Sequence, residues 1–163
     1  MALKQYQSGD TKVTARPTGQ GRFQTRIEMR GGPVLADEPI EVGGLGTGPT
    51  PYELLSAALA ACTAMTLRLY AERRQWTLPG FAVEVAHSIV AGDPPRDLFT
   101  RRIAFDEALA AEREARLLEI ADRCPVHRTL MRGFEVVTTA DGPAAPAEPP
   151  AQHLLDMEEA CAA

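Results

Sequence analysis

The chain has no excess of positive charge. Its 17 Lys and Arg are outnumbered by 22 Asp and Glu, giving a net charge of −5 at pH 7. A protein that grips a phosphate backbone carries a basic patch, so this balance argues against a nucleic-acid partner. The arginines are also scattered among glutamates, as in "YAERRQW" and "AEREARLLEIADR". A leader-type apolar stretch is missing from "MALKQYQSGDTKVTARPTGQ". The most apolar run, residues 54 to 65, contains Ser56 and Thr63 and is flanked by Glu53 and Arg68. It falls short of the roughly 20 residues that span a bilayer. The expectation is a cytoplasmic protein with no membrane partner. Cysteine is scarce as well, and three of them leave one over in any simple disulfide framework. In a reducing compartment a thiol pair is more often catalytic or redox-sensing than structural.

What is present suits one globular core. The 163 residues are 45% hydrophobic and 24% charged, an ordinary soluble balance. Residues 11 to 42 read as short extended segments: "TKVTAR" alternates, and "RFQTRIEM" places Phe23, Ile27 and Met29 near period two. "GGLGTGPTP", residues 43 to 51, is a loop that delivers the chain into a helix from about Tyr52 to Arg73. Glu53 falls in its first turn, where the dipole favours a carboxylate. That helix is apolar nearly all round until Arg68, a pattern that calls for burial on most sides.

Two strands follow. "FAVEVAHSIV" puts Phe81, Val83, Val85 and Ile89 on one face, and "LFTRRIAF" does so with Phe99, Ile103 and Phe105. "DEALAAEREARLLEIADR" is helical, with a stripe of Leu117, Leu118 and Ala121 and an i,i+4 pair of Glu112 with Arg116. Pro125 interrupts it. A short helix through Leu130 and a strand "FEVVTTA" complete a domain over residues 1–140. Residues 141–163 read as a Pro/Ala-rich linker and a short tail that ends in a helical turn or two only if it finds a groove.

Cys62 sits inside the alanine-rich helix and Cys124 at a helix break, directly before Pro125. A free cysteine usually behaves as a small buried hydrophobe. If Pro125 opens the next helix, Cys124 lies at a helix amino terminus and the dipole favours its thiolate. If Cys124 instead closes the preceding helix, the dipole opposes ionisation. A two-thiol peroxidase needs one thiolate to attack the O–O bond and a second thiol to condense with the resulting sulfenic acid.

The segments "GGLGTGPTPYELLSAALAACTAMTLRLYAERR" and "RLLEIADRCPVHRTL" resemble the two signature segments of the OsmC/Ohr family, in the same order, over roughly Gly21 to Thr139. The resemblance implies an α+β fold, with curved antiparallel sheets around long central helices in an intertwined homodimer. It implies a thiol-dependent reduction of organic hydroperoxides or hydrogen peroxide in oxidative-stress defence. Cys62 then matches the reactive cysteine and Cys124 its resolving partner. No bound cofactor is implied; an external dithiol, of lipoyl type or another, is the reductant. Peroxidases of this family carry a glutamate ten residues before the reactive cysteine, hydrogen-bonded to an arginine. Here Tyr52 holds that place and Glu53 falls one later, so Glu53 is the carboxylate candidate. Arg22 is the arginine candidate, with Arg26 and Arg30 as alternatives. This departure leaves a second expectation standing, a catalytically weak redox sensor or an apolar small-molecule binding protein.

The remaining residues carry milder expectations. Cys161 reads as an exposed thiol without a role. "CPVH" has the spacing of half a metal site, but no metal is expected. His87 reads as a satisfied polar residue on a strand, Tyr52 as a packing residue, and Trp76 and Phe81 as staples between helix and sheet.

Overall fold

Glycine turns and short alternating segments fold the amino-terminal region back on itself. The structure, a computed structural model, describes residues 12–138 and Cys161. The chain divides into two compact units, Met1–Leu54 with Val136–Gln152, and Leu55–Glu135 with His153–Ala163.

In the first unit, Thr14–Pro17 (β1), Thr25–Glu28 (β2) and Val34–Ala36 (β3) form an antiparallel sheet in that order. Ala15 faces Ile27, and Ile27 faces Val34. Beyond a 3-10 turn at Ile40–Val42, the glycine-rich loop is gathered around the buried carboxylate of Asp37. That carboxylate accepts the N–H groups of Glu38, Leu45 and Thr47 and the Thr47 hydroxyl. Burial works to raise its pKa, but these hydrogen bonds outweigh burial and hold it below the ordinary carboxylate value. The loop must be glycine at two close approaches. A Cβ at Gly44 would lie 1.8 Å from the Glu38 carbonyl oxygen, and one at Gly48 2.0 Å from that of Leu35.

The long helix α1 runs over Pro51–Arg73. Its start is a reciprocal cap: the Thr50 N–H donates to Glu53 Oε2 (2.7 Å) and the Glu53 N–H to Thr50 Oγ1 (3.2 Å). By length and composition alone α1 is long and apolar enough to cross a membrane, which corrects the shorter span suggested by residues 54 to 65. Its Leu67 and Tyr70 are buried within a core that also holds Leu117, Ile120, Ala121 and Cys161. The buried hydroxyls of Thr63 and Thr66 bond back to the carbonyls of Leu59 and Cys62, which lets them sit inside an apolar helix.

Phe81–Val90 (β4) and Arg96–Phe105 (β5) form a ten-residue antiparallel hairpin, Phe81 facing Phe105 and Val90 facing Arg96. Phe81, Val83 and Val85 share the inner face, but Ile89 is exposed because the hairpin tip extends past the core. Ala111–Ala121 (α2) buries Leu117, Ile120 and Ala121. Leu118, expected in that stripe, is exposed, since one residue on a helix turns by about 100°. Arg116 meets Glu119, one turn later, and the Tyr70 hydroxyl.

Pro125–Arg132 (α3) follows. Residues 134 to 138 of the expected final strand form no strand, and the rest of that segment lies outside the described residues, as do the linker and tail apart from Cys161. The mixed composition of helices and antiparallel sheets is the α+β class expected from the sequence.

Candidate active site

Two elements present the sulfurs. Cys62 of α1 packs in one cluster with Cys124, Val126 and Leu130, and Pro125 as first residue of α3 leaves Cys124 as its cap. This settles the alternative left open by the sequence: α2 ends at Ala121, and Cys124 begins the next helix. The Cys62 and Cys124 sulfurs lie 3.3 Å apart. Both are free thiols, since a disulfide bond is about 2.05 Å long. They share an apolar cluster with Leu59, packed by Val85, Phe99, Val126 and Leu130, and are 3% and 0% exposed.

Around the pair the donors are unequally placed. The Cys124 sulfur accepts the His127 N–H at 3.4 Å and lies 3.7 Å from the Thr63 hydroxyl. Behind Thr63 stands Arg101, whose Nη1 donates to Thr63 Oγ1 (3.0 Å) and to the Ala121 carbonyl (2.9 Å). Its Nη2 donates to Asp122 Oδ1 at 2.7 Å, and the guanidinium is mostly covered, with a side chain 12% exposed. The hydrogen bond with Cys62 draws the Cys124 pKa down to about 6. Burial opposes that, and the His127 N–H, the Thr63 hydroxyl and the Arg101 charge reinforce it. Cys62 moves the opposite way: the bond to Cys124 and burial raise it, more than the Val126 N–H and the Thr66 hydroxyl lower it. The two sulfurs share one hydrogen bond and therefore titrate as a pair. Burial, then the charge of Arg101, lowers the His127 pKa and favours its neutral form.

The structure therefore brings Cys62 and Cys124 together. The other two candidates are engaged locally. Glu53 is the capping carboxylate described above, its pKa lowered by the Thr50 hydrogen bonds, and nine residues of helix place it about half a turn round α1 from Cys62. Arg22 lies over the Phe23 ring, 5.1 Å from its centroid. Arg101 and Thr63 are neighbours of the sulfurs that sequence reasoning passed over. The signal was there: Arg101 occupies the alternating inward position between Phe99 and Ile103 on a strand otherwise apolar on that side.

His87 meets Asp97 at 2.7 Å and packs on Phe99, as a satisfied strand residue does. Trp76 packs edge-on against Tyr70. Cys161, expected to be exposed, is buried beside the Thr66 carbonyl because it joins the Leu67 core. Among the described residues no three His, Cys, Asp or Glu side chains gather in a metal-holding group.

The family model for the OsmC-like protein matches residues 44–139, more than half of the chain. No curated protein sequence matches significantly. Among solved structures, one from Psychrobacter arcticus, named for osmotic stress induction and detoxification response, superposes with a TM-score of 0.63 at 23% identity, over 74% of this chain and 88% of its own. An organic hydroperoxide resistance protein OsmC from Legionella pneumophila gives 0.59 at 20% identity, over 74% and 88%. The organic hydroperoxide resistance protein OhrB of Bacillus subtilis gives 0.56 at 22%, over 72% and 87%. At such identities the likeness is one of fold.

Proposed function

The chain belongs to the OsmC-like protein family, and from that premise we propose that it is a two-thiol peroxidase that reduces organic hydroperoxides, or hydrogen peroxide, through Cys62 and Cys124. The single observation that carries this reading is the pair of free sulfurs 3.3 Å apart within one apolar cluster. One thiolate takes an oxygen from the peroxide and becomes a sulfenic acid. The other thiol is near enough to condense with it before further oxidation. The apolar wall of Leu59, Val85, Phe99 and Leu130 suits a hydrocarbon-bearing hydroperoxide better than a charged one. An external dithiol of lipoyl type reduces the disulfide, no cofactor is bound, the working form is a homodimer, and the compartment is the cytoplasm.

The test is stopped-flow mixing of reduced protein with cumene hydroperoxide. Two thiols should be lost per peroxide consumed, with a Cys62–Cys124 disulfide in the peptide map. A variant lacking both cysteines that consumes peroxide as fast as the parent protein would end this reading. The second reading is a slow redox sensor or an apolar small-molecule binder on the same fold. It is favoured by Glu53 being occupied in the capping of α1. It expects negligible dithiol-supported turnover and a saturable melting shift with an apolar ligand panel.

A further inference from the structure

We propose that Arg101 is the positioning residue for disulfide closure: its guanidinium ties the turn that carries Cys124 to the stretch of α1 that carries Cys62, and so holds the resolving thiol within reach of a sulfenic acid on Cys62. The inference rests on the two-thiol reading above, with Cys62 as the reactive cysteine and Cys124 as its resolving partner, and names the residue that governs the second step.

The contacts of Arg101 are divided between the two elements that present the sulfurs. Nη1 donates to Thr63 Oγ1, and Thr63 follows Cys62 on α1. The same nitrogen donates to the Ala121 carbonyl, which also accepts the Cys124 backbone N–H at 3.2 Å. Nη2 donates to Asp122, in the short turn between α2 and α3 that Cys124 ends. One planar fork thus reaches from the residue after Cys62 to the carbonyl that fixes the Cys124 backbone, a span that suits a guanidinium and not a point charge. Thr63 completes the link, since its hydroxyl donates to the Leu59 carbonyl and lies 3.7 Å from the Cys124 sulfur. The start of α3 does not tie the two elements in this way: it offers an N–H to each sulfur, Val126 to Cys62 and His127 to Cys124. An apolar side chain would fill the inward position between Phe99 and Ile103 without the desolvation cost of a charge. The contacts to both elements account for the charge.

The steps balance. The Cys62 thiolate attacks the terminal oxygen of ROOH; the S–O bond forms, the O–O bond breaks, and the alkoxide leaves as ROH with the proton that Cys62 gave up. The Cys124 thiolate then attacks the sulfur of that sulfenic acid. The S–S bond forms, the S–O bond breaks, and hydroxide leaves as water with the proton that Cys124 gave up. The peroxide has gained two electrons and the sulfur pair has lost two. An external dithiol restores both thiols by two exchanges and leaves as its own disulfide. In closing, the sulfurs move from 3.3 Å to about 2.05 Å apart. A second ROOH competes for the sulfenic acid and takes it to the sulfinic acid, which the dithiol does not reverse. The position of Cys124 decides that competition, because a misplacement of about 1 Å costs up to about a hundredfold in rate.

The experiment compares the parent protein with Arg101→Met, Arg101→Lys and Asp122→Ala, each reduced and mixed with cumene hydroperoxide. Peroxide loss gives the rate of the first step. Dimedone added at successive times traps the sulfenic acid on Cys62, and the yield of Cys62–Cys124 disulfide gives the rate of closure. In Arg101→Met, closure should slow about tenfold more than the first step. With dithiol present, the cumene hydroperoxide concentration that converts half of Cys62 to the sulfinic acid should fall about tenfold as well. Arg101→Lys keeps the charge but loses the fork, so closure should stay slow. Closure at the parent rate in Arg101→Met overturns the proposal. So does an equal slowing of both steps, the sign of a merely structural arginine, and so does full recovery in Arg101→Lys, the sign that charge alone acts. If Arg101→Met fails to fold, Asp122→Ala decides, since the Asp122 side chain is largely exposed. Closure slowed about threefold there, the loss of one hydrogen bond, supports the proposal, and unchanged closure refutes it. If the parent protein forms no disulfide with any hydroperoxide, the peroxidase reading falls on its own. Glutathione redox buffers then read the clamp without peroxide: the effective concentration of the thiol pair should be about tenfold lower in Arg101→Met, and an equal value refutes the proposal.

Discussion

At the scale of single residues, three cysteines with one chemistry have three different surroundings. Cys124 has a helix amino terminus and a guanidinium nearby, Cys62 has Cys124, and Cys161 has the Leu67 core. The first two make folding stability depend on pH in a stated direction. The Cys124 pKa falls from 9.0 to about 6 on folding, while that of Cys62 rises. Between those two values the folded chain binds one proton fewer than the unfolded chain, so stability increases with pH. Above about 9 the unfolded chain loses both protons while folded Cys62 keeps its own, so stability decreases again. Urea midpoints of the reduced protein, taken relative to a Cys62→Ser/Cys124→Ser variant, should trace a maximum near pH 9. A flat difference across that range would refute the pairing. Burial raises the Cys161 pKa, partly offset by Arg73. In the folded reduced protein Cys161 should therefore be alkylated much more slowly than Cys124, and the two rates should converge in denaturant.

At the scale of elements, what each segment does follows from where its ends are fixed. The start of α1 is held by Thr50 and Glu53, each satisfying the other's N–H. Thr50→Ala should cost about 1 kcal/mol, the usual loss on removing a cap, seen as a lowered thermal midpoint. Gly48→Ala should destabilise the loop by about 1–3 kcal/mol, because its Cβ would meet the Leu35 carbonyl and β3 must shift to make room. Such loops show their need for glycine in the sequence, β4 and β5 show their periodicity, and the apolar run of α1 is bounded by the Gly/Pro loop before it and Pro79–Gly80 after it. The α1 boundaries and the inward faces of Phe81, Val83, Phe99 and Ile103 were legible for that reason. Arg101 was not. A charge among apolar alternating positions reads as a defect until the three acceptors that fix it, from α1 and the end of α2, are known. Leu118 and Ile120 exchanged places for a related reason: apolar periodicity marks a stripe but leaves its edges to the packing partner.

At the scale of the whole molecule, α1 poses a question of partners. It is apolar on every side, yet Ala57, Ala58, Ala61 and Met65 are exposed along one stripe, Met65 by 55%. Phe134, Val136 and Val137 are exposed as well, at 67%, 74% and 65%. Apolar surface of this kind is stabilised when a second protein surface covers it, and small side chains let another backbone approach closely. A second copy of the chain, as proposed above, is the occupant most directly tested. A stable homodimer covers about 800 Å² on each partner, more than one stripe of alanines supplies, so both patches would have to contribute. Met65→Glu places a carboxylate in the centre of the α1 stripe, where pairing would bury it without a partner. It should raise the dissociation constant of the dimer at least about tenfold, or about 1.4 kcal/mol. The isolated chain should barely notice, because Met65 is exposed there. Sedimentation velocity over a concentration series separates these effects. The parent protein should sediment as a dimer and Met65→Glu should dissociate on dilution, with a melting temperature that has become concentration-dependent. A parent protein that remains monomeric at the highest concentration would leave the α1 stripe without its proposed partner, and would confine the thiol chemistry to residues of a single chain.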